Sequence, residues 1–172
     1  MNSAIWGALL LGVSSVGLAS CGGEAQSPVE ANPDAPAGLT AADGRMNLPA
    51  VAGNPAGVYF TLTNDSDKQY TIRAVSVAGA ESAMLHQTTE WNLQPDMQEV
   101  FQIAVPAGET LTLTQGNMHV MAMGVAEDLA PGGESEATIT FVGGDKMSIP
   151  LVVLAAGDDG GVGAGEEEGG ED

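Results

Sequence analysis

The chain holds two histidines and eight methionines. His86, Met97, His119 and Met121 stand in the pattern H-x10-M-x21-H-x-M, which uses both histidines. Neutral imidazole combined with thioether sulfur is the donor set of a soft, monovalent metal ion, above all Cu(I). Such an ion is d10 and accepts these donors without demanding a square plane. Thioethers do not titrate and cannot pair into disulfides, so only the imidazoles compete with protons. The single cysteine, Cys21, lies outside the region of regular patterning, so a site here has no thiolate. That excludes a blue-copper centre, which needs a Cys ligand within the fold.

The elements that must carry these residues read as strands. Val58, Phe60 and Leu62 alternate with Tyr59, Thr61 and Thr63; Leu111 and Leu113 alternate with Thr110, Thr112 and Thr114. Ala137, Ile139 and Phe141 alternate with Glu136, Thr138 and Thr140, and Met147, Ile149, Leu151 and Val153 share one face. Period-two alternation with Thr on the wet side is the signature of half-buried strands. Turn residues punctuate the runs at Asn64-Asp65-Ser66-Asp67, Pro106-Ala107-Gly108, Gly116-Asn117, Pro131-Gly132-Gly133 and Gly143-Gly144-Asp145. No stretch gives a long amphipathic helix. Seven or eight strands are expected, as an antiparallel sandwich or small barrel.

His119 and Met121 are two apart on one such strand, so their side chains leave the same face. Met123 continues that face, while Val120 and Ala122 point the other way. With Val120 and Ala122 in the core, His119 and Met121 project outward. His86 is expected near the end of a second strand. Met97 is expected on a polar loop spanning Asn92 to Gln98. Met84 shares a face with His86 and is the substitute donor should Met97 fail. Methionine on a strand more often fills gaps in a core, and Met84, Met118 and Met147 are first read that way. Met123 is balanced between supporting the site and packing. Trp91 either covers the metal or packs.

The spacing and its surroundings resemble the periplasmic PCuAC family of methionine/histidine copper chaperones. Asn54-Pro55-Ala56-Gly57-Val58-Tyr59-Phe60 resembles that family's first strand, and Met84-Leu85-His86 its approach to the first ligand. Pro106-Ala107-Gly108 precedes a strand, and Gly116 to Gly124 resembles the second ligand strand. The resemblance covers residues 45–156. It implies a cupredoxin-like Greek key that binds one Cu(I) per chain through His86, Met97, His119 and Met121. It also implies delivery by ligand exchange to the copper-site subunit of cytochrome c oxidase, directly or through a thiol-bearing assembly factor. A monomeric carrier rather than an enzyme is expected. No nucleophile with recognisable context and no phosphate-cradling loop is present. The alternative is a structural or adhesive β-sandwich lipoprotein without metal.

The flanks read as export and tethering. Ile5 to Leu18 is mostly apolar, and Leu18-Ala19-Ser20-Cys21 resembles a bacterial lipobox. The apolar run is shorter than the ~18–20 residues that span a bilayer. Residues 1–20 are thus expected to be a lipoprotein signal, with Cys21 carrying lipid and anchoring the chain outside the cytoplasm. Gly22, rather than Asp, after the cysteine favours an outer membrane. Residues 21–44 read as a flexible tether, 45–156 as the β domain and 157–172 as a disordered acidic tail.

The net charge is −19. Seven acids lie in residues 157–172 and four in 22–43, leaving twelve acids against Arg45, Lys68, Arg73 and Lys146. Such a surface repels nucleic acid and anionic headgroups and favours cations and basic partners.

Overall fold

A computed structural model describes residues 35–91, 94–158 and Gly160. The signal segment, Cys21, most of the tether and nearly all of the acidic tail lie outside the described residues. Within them the chain is all β. Ten strands follow in order: β1 (Leu39–Asn47), β2 (Ala56–Asn64), β3 (Tyr70–Val77), β4 (Ala80–Trp91), β5 (Gln94–Glu99), β6 (Ile103–Val105), β7 (Thr110–Leu113), β8 (Met118–Val125), β9 (Glu134–Phe141) and β10 (Lys146–Leu154).

One hydrogen-bonded path runs β5-β4-β8-β2-β1-β10-β9-β3-β6, with β7 paired to β2 off the path. Every pairing is antiparallel except β1 with β10. The path curls so that β3, near one end, packs on β4, near the other. The two layers enclose Val58, Phe60 and Leu62 of β2, Ile72 of β3, Leu85 of β4, Val120 and Ala122 of β8, Ile139 and Phe141 of β9, and Ile149 and Leu151 of β10, all buried. This is the sandwich that the alternating pattern implied, in the cupredoxin-like form that the family resemblance implied. Met147 is in this core at 3% exposure, and Met118 packs against it.

Two strands depart from the sequence reading. β1 begins at Leu39, inside the segment read as tether. Its signal is weak because Ala42-Asp43-Gly44 looks like a turn. Here those residues form a bulge: the register to β2 shifts between Ala42 and Arg45, and Asp43 takes φ 57°. Asp tolerates this left-handed conformation better than most residues. The bulge re-aims the strand, so that Arg45–Asn47 also pairs in parallel with Val152–Leu154 of β10. Gly44 is required there, because a Cβ would collide with the Pro150 carbonyl oxygen.

The second departure is β5. Gln94–Glu99 pairs antiparallel with β4, so Met97 lies on a strand and not on a loop. Polar composition and Pro95 hide it, since Pro and charge are common on edge strands and rare inside sheets.

Candidate metal centre

The site arises from cross-strand register. β4 and β8 pair with His86 opposite His119 and Met84 opposite Met121; Ser82 faces Met123. Directly opposed residues in an antiparallel pair share a face. The intervening Leu85, Val120 and Ala122 are buried in the core. The ligand-type residues therefore occupy the outer face, Met-x-His on one strand against His-x-Met on the other. His86 sits within β4 rather than near its end. Met84 does not fill the core; it is half-buried beside Met121. On the far side of β4, Met97 pairs with Thr88 and Glu99 with His86. That places Met97 one diagonal step from His86, within reach of a long side chain. It is 56% exposed. The Trp91 side chain and residues 92–93 lie outside the description.

The two imidazoles lie close together. The ring centroids of His86 and His119 are 6.2 Å apart. With metal–nitrogen bonds of about 2 Å, two rings so placed can share one ion. Nδ1 of His119 lies 3.0 Å from the Asn117 carbonyl oxygen. A carbonyl only accepts, so Nδ1 carries the proton and Nε2 keeps its lone pair. Nδ1 of His86 is buried without a hydrogen-bond partner. A buried imidazole nitrogen left unpaired is costly unless something else occupies it.

Sequence reasoning did not foresee the wall of this site. Tyr59 belongs to the Thr face of β2 and was expected on the wet side, yet it is 8% exposed; His119, beside it, is 9% exposed. Their ring centroids are 6.3 Å apart. The Arg45 guanidinium caps the other side of the Tyr59 ring, 4.9 Å from its centroid, a cation–π contact. The phenol hydroxyl fills the space above Gly57, the residue directly opposite Met121. Burial pushes the Tyr59 pKa up and the nearby Arg45 charge partly offsets it, so the phenol stays neutral. The one local signal was an aromatic among threonines; the pairing that buries it is between strands distant in sequence.

Arg45, Tyr59, His119, His86 and Glu99 thus lie side by side across β1, β2, β8, β4 and β5. One flank of the imidazole pair is closed by an aromatic and a cation. The other opens onto an edge strand. Among the described residues no group of three or more His, Cys, Asp or Glu is arranged to hold a metal ion. A hard cage is therefore absent from them, and the imidazoles and thioethers share one face with Glu99 at its edge.

Comparison with known proteins agrees with the fold. The chain resembles the copper-bound PCuAC domain from PmoF2 with a TM-score of 0.57 at 19% identity, covering 69% of this chain and 93% of that domain. It resembles the solution structure of CuI-DR1885 from Deinococcus radiodurans with a TM-score of 0.53 at 28% identity, covering 67% of this chain and 76% of that one. A relative from Leifsonia xyli subsp. xyli, named "Putative lipoprotein Lxx21020", is 34% identical over 105 residues. That match spans 60% of this chain and 63% of the relative. Residues 39–153 match the family described as "Putative lipoprotein LpqE-like". With so much of the chain matched, the protein belongs to the LpqE-like lipoprotein family, on a PCuAC-type fold.

Proposed function

We propose that this chain is an extracytoplasmic copper carrier that binds one Cu(I) at His86, His119, Met121 and Met97 and hands it on by ligand exchange. The observation that carries this reading is the opposed pair Met84-x-His86 and His119-x-Met121 on the outer face of the sheet. A resident structural metal would be expected inside the fold, held by charged donors. A soft set on the outer face of the sheet, beside an exposed Met97, suits a cargo that must leave again. The likeness to CuI-DR1885, which carries Cu(I) in that structure, supports the same ion here. Family membership supports a lipid anchor at Cys21, which would hold the carrier at a membrane near its client. Delivery to the copper-site subunit of cytochrome c oxidase, or to a thiol-bearing factor that loads it, fits a soft donor set that yields to stronger thiolates. The acidic surface favours a client with a basic face.

The test is an anaerobic competition for Cu(I) between the full chain in mild detergent and a chromophoric Cu(I) chelator. The expected result is one equivalent held by wild type and lost in the His119→Ala/Met121→Ala double variant. Failure of a folded wild type to compete would leave a structural or adhesive β-sandwich lipoprotein as the better reading.

A further inference from the structure

Two thioethers besides Met121 border the imidazole pair, and their surroundings differ. Met84 lies directly opposite Met121, beside the imidazole pair, and is half-buried on a strand paired along both edges. Met97 lies on β5, at the end of the hydrogen-bonded path, and is 56% exposed. Among the described residues no strand pairs with the outer edge of β5, and edge strands yield most easily to an approaching chain. On the opposite flank, the buried Tyr59 ring stands beside His119 with Arg45 over it.

Resting on the copper-carrier reading, we propose that Met84 is a fifth donor that exchanges places with Met97. In the resting complex Met97 closes the site from the edge. A client approaching across β5 displaces Met97, and Met84 moves onto the ion as Met97 leaves. The copper–sulfur bond to Met97 breaks as one to Met84 forms; the bond to Met84 then breaks as the client's donor takes its place, so the ion keeps four donors at each stage. No electron changes hands, and a client thiol releases its proton to solvent. His86, His119 and Met121 hold throughout, so the ion never falls below three protein donors until the client has engaged. The geometry assigns direction as well: entry and exit run over β5, and the Tyr59–Arg45 wall is the fixed side.

This arrangement has a thermodynamic signature, because two donors that can replace one another mask each other's loss. Cu(I) affinity is measured by chelator competition on the full chain in detergent, for wild type, Met84→Ala, Met97→Ala and the double variant. Circular dichroism confirms the fold of each. Each single variant should weaken binding by about tenfold or less, and the double by at least a thousandfold. In parallel, 13C-methyl methionine spectra of Met97→Ala should show the Met84 methyl shifting when one equivalent of Cu(I) is added. The inference is overturned if Met84→Ala has the same small effect in both backgrounds, or if the Met84 methyl does not move. A folded wild type that takes no copper overturns instead the carrier reading, and this inference with it.

Discussion

Gly57→Ala should destabilise the fold through one contact, and a second substitution should abolish the effect. Gly57 is not among the residues with positive φ, so its backbone admits alanine. The obstacle is steric. An added Cβ would overlap the Tyr59 hydroxyl and lie 2.8 Å from its Cζ. The ring cannot simply step aside, since Arg45 caps it at 4.9 Å and His119 stands 6.3 Å away on its flank. Forcing a methyl into such a place costs about 1–3 kcal/mol. Tyr59→Thr removes the phenol and makes the outer face of β2 continuous with Thr61 and Thr63. In that background the three nearest obstacles, all of the Tyr59 ring, are gone, and restricting the unfolded chain should make Gly57→Ala neutral or stabilising by about 0.5 kcal/mol. The coupling energy between the two sites is then about 1–3 kcal/mol. Urea denaturation of wild type, both single variants and the double, followed by circular dichroism, gives all four stabilities. Equal costs of Gly57→Ala in the two backgrounds would refute the account of Tyr59 as a wall packed over Gly57.

Three further outcomes follow from the same structure. Because burial raises the Tyr59 pKa above its ordinary 10.0, the unfolded chain loses this proton first as pH rises. Stability should be insensitive to this group below about pH 10 and fall above it, and Tyr59→Phe should flatten that fall in urea midpoints measured against pH. Under mild peroxide, Met97, at 56% exposure, should be converted to sulfoxide well before Met46 and Met147, at 0% and 3%, as peptide mass spectrometry would reveal. The fully buried Asn64 donates to the carbonyls of Lys68, Val105 and Pro106 and accepts from Ser66. Asn64→Leu strands those carbonyls and should cost about 2–3 kcal/mol in urea unfolding, whereas a loss below about 0.5 kcal/mol would mean water replaces the side chain.

What the sequence discloses here is what depends on neighbours one and two residues away. The strict alternation in β10 and β9 places Met147, Ile149, Leu151, Ile139 and Phe141 inside without reference to any partner strand. The same rule puts His119 and Met121 on the face opposite Val120 and Ala122. What it withholds depends on register. Whether Met84 fills the core or faces Met121 is decided by which residue of β8 lies across from it, and a one-residue slip would reverse the answer. Likewise Tyr59 reads as a wet residue until β2 is paired with β8 on one side and β1 on the other. Arg45 reaches its ring only because the bulge at Asp43-Gly44 realigns β1. The residue types on the outer face were therefore legible, because they are local to each side chain. Their placement relative to an open edge and a closed flank was not. It rests on which strand is the edge and which flank is walled, and these are properties of the assembled sheet. A site built across strands can keep its donors and yet change its direction of transfer, if the edge strand is lengthened or covered. Adding a paired strand outside β5 should slow release to a client, while His86, His119 and Met121 still face one another.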